Sequence, residues 1–267
     1  MISLKNMKKK ALGHSPVFAS KAKQSRAPRT PGFTLLELLI VIAIIAILSI
    51  ALVFMLNPAE TLKKARDAQR ISDLKSVKTA LGIMLTASST PSLDNFLPFG
   101  TAVCTTATTY AGVTSQSTSP KIAYSASSTI TGVTTTNQGS DAAYAFTSTG
   151  YSVGAANAGK VDGYGWIPTS LKGLTGGTPI SSFPIDPVNT VTSGILSTDL
   201  VYRYACQNGT SATVGAGKPS YIFEIDAVLE SNAYTVDDNK MAKDGGDNAS
   251  YYETGNSLNL LPTTGNF

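Results

Sequence analysis

Residues 33–56 read FTLLELLIVIAIIAILSIALVFML, one uninterrupted apolar run of 24 residues. As an α-helix at ~1.5 Å per residue it is about 36 Å long, enough to cross a hydrocarbon layer of about 30 Å. Its one ionisable residue is Glu37, with Thr34 and Ser49 as minor polar positions. A carboxylate inside a membrane segment is costly, so Glu37 calls for a partner and marks a functional position.

Upstream lie eight basic residues, Lys5, Lys8, Lys9, Lys10, Lys21, Lys23, Arg26 and Arg29, and no acid. The positive-inside rule holds residues 1–32 in the cytoplasm and sends the remainder outward. Met1 and Met7 are both candidate starts. The net charge of +4 therefore misdescribes the body: of 21 basic residues 13 remain, against 17 acidic. Nucleic-acid binding is not indicated by that part of the chain. The single histidine, His14, lies in the basic stretch. Without it the body has no histidine, which excludes Ser-His-Asp, Cys-His and His-ligated metal chemistry. Two cysteines are too few for a four-cysteine zinc site.

Downstream, the run passes through Asn57-Pro58 into an amphipathic stretch. Leu62, Ala65, Ala68, Ile71, Leu74, Val77, Leu81 and Met84 or Leu85 recur at helical spacing, with Glu60–Lys64 and Lys63–Asp67 as surface pairs. The pattern predicts one helix over residues 33–86, bent or loosened at Pro58.

Beyond it the composition turns rich in Ser, Thr, Ala and Gly. Alternation at Tyr144 and Phe146, then Tyr151 and Val153, suggests strand. Clearer strands are DLVYRYAC at 199–206 and SYIFEIDAVLE at 220–230. The second puts Tyr221, Phe223, Ile225, Ala227 and Leu229 on one face and largely acidic or branched residues on the other, a half-buried pattern. The fold class expected is α+β: a long N-terminal helix, apolar then amphipathic, packed on a small antiparallel sheet head.

Gly32-Phe33-Thr34-Leu35-Leu36-Glu37-Leu38-Leu39-Ile40-Val41 closely resembles the processing signal of bacterial type IV prepilins and type II secretion pseudopilins. The resemblance implies that a prepilin peptidase cuts between Gly32 and Phe33 and methylates the new amine of Phe33. It implies that Glu37 neutralises that amine on a neighbouring subunit. The other reading of Glu37 is a solvated carboxylate at headgroup depth. The resemblance further implies a membrane-held precursor, then a helical homo-oligomeric fibre raised by an assembly ATPase and platform protein. Ala43, Ala46, Ser49 and Ala51 would let helices approach closely in the fibre, or are ordinary membrane-helix composition. The organisation expected is a cleaved leader (1–32), the long helix (33–86, with 33–56 in the membrane or fibre core) and an extracytoplasmic head (87–267).

Other positions carry alternatives. Residues 162–168 (DGYGWIP) and 183–189 (FPIDPVN) read as turns, the second faintly like the Asp-Pro turn of major pseudopilins. Asp237, Asp238, Asn239, Asp244 and Asp247 are either a solvated acidic loop or a calcium loop; no other cofactor is expected. Cys104 and Cys206 fall outside the membrane and either pair or remain buried thiols. Asn208 and Asn248 begin glycosylation sequons. For function, a type IV pilus-like subunit (attachment, motility or DNA uptake) stands beside a periplasmic secretion pseudopilin. A surface adhesin exported by the pilin route is the alternative from another class. The body contains no G-x-S-x-G, no P-loop and no paired-carboxylate motif, so an enzyme is not expected.

Overall fold

A computed structural model describes residues 32–94, 103–106, 121–126, 150–191, 195–208 and 221–263. The predicted leader up to residue 31, with His14, and the expected strand at Tyr144 and Phe146 lie outside the described residues. The chain divides into two units near Phe54. The apolar run forms helix α1, Leu35–Leu56, with no buried residue. Among the described residues it is the one helix long and apolar enough to cross a membrane.

The single helix expected over 33–86 is interrupted. Asn57 adopts a left-handed conformation (φ 38°, ψ 72°), and helix α2, Pro58–Ala87, starts afresh behind it. Three local preferences converge there. A residue before proline is kept out of the α region, asparagine tolerates positive φ, and proline suits the first helical position. The Asn57 carbonyl accepts the amides of Glu60 (3.1 Å) and Thr61 (3.2 Å), restarting the ladder.

Helix α2 buries Asp67, Arg70, Leu74, Val77, Ala80, Leu81 and Met84, one stripe at three- and four-residue spacing. In its second half this is the expected stripe. In its first half it is not: Leu62, Ala65 and Ala68 are exposed, and the inward positions are Asp67 and Arg70. The expected Lys63–Asp67 surface pair gives way because Asp67 faces inward.

The sheet comprises β1 (Thr105–Thr106), β2 (Ala123–Tyr124), β3 (Tyr202–Asn208), β4 (Ile222–Ala227) and β5 (Tyr252–Gly255). Its order is β1-β3-β4-β5, with β2 also paired to β3. The β2–β3, β3–β4 and β4–β5 ladders are antiparallel, and the short β1 is parallel to β3. The fold is α+β, as the sequence predicts. On one face, Phe223, Ile225 and Ala227 with Tyr202 and Tyr204 pack in a core with Leu74, Val77, Leu81 and Met84 of α2. Trp166, from the 162–168 turn, is fully buried there, and its Nε1 donates to the Pro184 carbonyl at 2.9 Å.

The half-buried reading of the 220–230 strand needs correction. Every residue of β4 is buried on both faces. A second core of Ile122, Tyr124, Val191, Ile195, Val201, Ile222, Tyr251, Leu260 and Leu261 covers the far face. The expected strand signal at Tyr151 and Val153 reduces to a single bridge, Ala123 to Tyr151.

Cys104 and Cys206 are joined by a disulfide (S–S 2.10 Å) that ties the residue immediately before β1 to β3. Buried Asp94 holds the same region. Its Oδ2 accepts the amides of Val103 and Cys104, both at 2.9 Å, and its Oδ1 accepts Asn208 Nδ2 at 2.6 Å. Both sequon asparagines are thereby occupied: Asn208 by Asp94, and buried Asn248 by the Pro262 carbonyl at 3.1 Å.

Candidate functional site

The segment that the sequence singles out lies at the start of α1. Thr34 precedes the first helical residue and caps the helix reciprocally with Glu37. The Glu37 amide donates to Thr34 Oγ1 (3.2 Å), while Glu37 Oε2 accepts the Thr34 amide (3.0 Å) and hydroxyl (2.9 Å). This is a capping box, and its signal, Thr-x-x-Glu ahead of an apolar run, is present in the sequence. The carboxylate also sits in the first turn, where the helix dipole favours negative charge. All three bonds leave Oε1 for a further donor. Phe33 is 78% exposed, and a Cβ added at Gly32 would meet nothing within 4 Å. The Gly32–Phe33 peptide is therefore open among the described residues.

Residues 29–53 match the family described as the prokaryotic N-terminal methylation motif. The chain carries the type IV pilin and pseudopilin signal. No curated protein and no solved structure matches the chain. The pilin-type signal and the membrane-capable helix that follows it fit anchoring in a membrane before assembly.

The acidic tail is engaged by local contacts. Asp238 is held by Lys240 (2.5 Å) and Lys243 (2.6 Å), and their hydrogen bonds, Lys240's first, bring its carboxyl down to about 2. Asn239 Oδ1 accepts the Ala242 amide (3.1 Å). Asp244 accepts the amides of Gly246 (2.9 Å) and Glu253 (2.8 Å). Asp237 closes the short π-turn at 233–237. Of the acidic positions singled out by the sequence, Asp237, Asp238 and Asn239 make local contacts, while Asp244 and Asp247 both lie near Glu253. Among the described residues no group of three or more acidic, cysteine or histidine side chains is placed to hold a metal ion.

One cluster had no sequence signal. The fully buried guanidinium of Arg70 holds Asp186 in a fork (Nε 2.6 Å, Nη2 3.0 Å). Its Nη1 also reaches Asp67 (2.7 Å) and Glu230 (2.6 Å). Arg66 holds Glu230 from the other side at 3.0 and 2.9 Å. Burial works against the charge of Glu230, but hydrogen bonds from Arg66 and Arg70 outweigh it and lower its pKa. Asp186 simultaneously caps its own turn, accepting the amides of Val188 (2.8 Å) and Asn189 (3.3 Å). Asp67 accepts those of Glu230 and Ser231. The FPIDPVN turn is thus a structural anchor for α2.

Proposed function

We propose that the protein is the structural subunit of a type IV pilus-like fibre serving attachment, motility or DNA uptake, rather than an enzyme. The observation that carries this reading is the methylation-motif match over residues 29–53, set on an open Gly32–Phe33 peptide and an exposed apolar helix. A membrane prepilin peptidase cuts after Gly32 and methylates the Phe33 amine. Because this chain has room for a side chain at Gly32, the demand for glycine there comes from the peptidase's approach to the backbone. The cut removes all eight leader cations and leaves one new one, at Phe33.

Glu37 then receives that cation from an adjacent copy. The capping box holds the carboxylate in one rotamer with Oε1 available, so little ordering remains when the amine arrives. In the low-dielectric core of a helix bundle an unpaired carboxylate is expensive. A pair across copies recovers part of that cost and sets the axial register. Assembly machinery extracts the subunit from the membrane, and the head is displayed on the cell surface. The Asp-Pro turn, which faintly resembles that of major pseudopilins, is engaged by Arg70, and the acidic tail by local lysine and amide contacts. They give that alternative no separate support.

The test is electron microscopy of sheared surface material from cells making a head-tagged protein. Long decorated fibres are expected. Glu37→Val should leave cleavage intact and lower incorporation at least about tenfold, the factor for a lost pairing of about 1.4 kcal/mol per contact. Tag confined to the envelope would favour the pseudopilus, and normal fibres from Glu37→Val alone would refute the pairing.

A further inference from the structure

The sheet face turned away from α2 holds three buried acids: Glu224 and Asp226 on β4, and Glu253 on β5. In the β4–β5 register Asp226 stands opposite Glu253 and Glu224 opposite Gly255, so Glu224 and Glu253 are diagonal neighbours on one face. The buried cation among them is Arg203 on β3, opposite Asp226 and 3.4 Å from it. Tyr124 on β2 and Tyr251 flank this arginine, with the Tyr251 ring centroid 4.6 Å from the guanidinium. From the turn ahead of β5, Asp244 accepts the Glu253 amide and Asp247 adds a further negative charge.

Glu224 also holds the last described stretch of chain. Its Oε2 accepts the amides of Leu260 (2.6 Å) and Leu261 (2.9 Å), whose side chains are buried in the second core. Its Oε1 is buried and, among the described residues, receives no hydrogen bond. Its diagonal neighbour across the β4–β5 ladder is the buried carboxyl of Glu253. Two ionised carboxylates have no hydrogen to share. We propose that Glu224 and Glu253 share one proton and that this proton clasps the strap of residues 256–262 over the sheet.

While the proton is present, Glu224 donates it to Glu253 through Oε1 and accepts the two strap amides through Oε2. When it leaves, two like charges meet in a buried site already holding Asp226, with Arg203 as the cation there. Other contacts of the strap lie at its two ends: Asn256 Oδ1 accepts the Phe223 amide (2.7 Å), Asn256 Nδ2 donates to the Tyr221 carbonyl (2.9 Å), the Asn256 and Ser257 amides donate to the Phe223 carbonyl (3.2 and 3.4 Å), and Asn248 Nδ2 donates to the Pro262 carbonyl (3.1 Å). The opening is therefore local to its middle. The direction in pH follows from burial, which raises Glu224 and Glu253 and lifts Asp226 to about 7 despite Arg203. A group raised in the folded state contributes stability that is complete below its unfolded value and is lost as pH rises through the folded one. The clasp is closed in mildly acidic medium and opens toward alkaline medium.

Amide hydrogen exchange on the full-length chain in detergent tests this. After correction for the intrinsic rate, protection of the Leu260 and Leu261 amides should fall about tenfold or more between about pH 5 and pH 8, while Tyr204 and Ile225 keep theirs. Glu224→Gln supplies an amide donor to Glu253 and a carbonyl to the strap without a titrating proton, so its strap should stay protected across the range. Constant wild-type protection at Leu260 and Leu261 would overturn the proposal by itself. So would a Glu224→Gln strap that loses protection at alkaline pH as the wild type does.

Discussion

Arg70→Ala is expected to destabilise the head by about 3–5 kcal/mol, the cost of removing one partner from a buried ion cluster. The magnitude follows from what stays behind. Asp67 and Asp186 are buried, and Glu230 loses one of its two arginines. The same carboxylates cap the 183–189 turn and hold the amides of Glu230 and Ser231, so they cannot rotate out to water without undoing those contacts. Arg70→Lys should recover only part of the loss. An ammonium is a single point of charge and cannot fork Asp186 while reaching Asp67 and Glu230. The measurement is urea unfolding of the full-length chain in detergent, read as a change of midpoint at constant slope. The deficit should shrink as pH falls, because Glu230, whose pKa the two arginines lower, contributes stability that is lost as it takes up a proton. A deficit below about 1 kcal/mol, the range of surface pairs, would show that the cluster does not hold α2 to the head.

Opening the Cys104–Cys206 bridge, by the double change Cys104→Ser and Cys206→Ser, should cost a comparable amount. The two residues are 102 apart, and closing a loop of that size is worth about 4–5 kcal/mol in the chain-entropy treatment. For a head of this size that is a fall in Tm of about 10–15 °C. Both cysteines are fully buried, so reductant should act slowly on the folded chain and quickly on the unfolded one. Asp94 and Asn208 keep residues 103–104 near β3 after the bridge is gone, so the variant should fold to the same register at lower stability. Two alkylatable thiols in native wild-type protein, or an unchanged Tm in the serine variant, would contradict the bridge.

The sequence showed clearly what depends on local pattern. The apolar run, the second half of the α2 stripe and the alternation in β3 and β4 each follow from one periodicity. The processing signal is likewise a short contiguous string. The break at Asn57 was only half legible. Pro58 announced a weak point, but the left-handed turn at Asn57 that ends α1 outright required the backbone. Arg70 could not be read at all. On a helical wheel it is one more charge, and its partners Asp186 and Glu230 lie 116 and 160 residues away. The acids of β4 misled for a related reason. Alternating apolar and acidic residues mean a solvent face unless another segment covers it, and here 195–201 and 260–261 do so. Distant burial of charge leaves no periodic trace.

The central claim is tested most directly at the new N-terminus. Protein purified from cells with an active prepilin peptidase should be read by N-terminal sequencing and intact mass. The account predicts a chain starting at Phe33 and carrying one methyl group on its amine, with uncut precursor accumulating when Gly32 is replaced by a bulky residue. A mature chain that starts anywhere else, or retains the basic leader while the peptidase processes its other substrates, would contradict it.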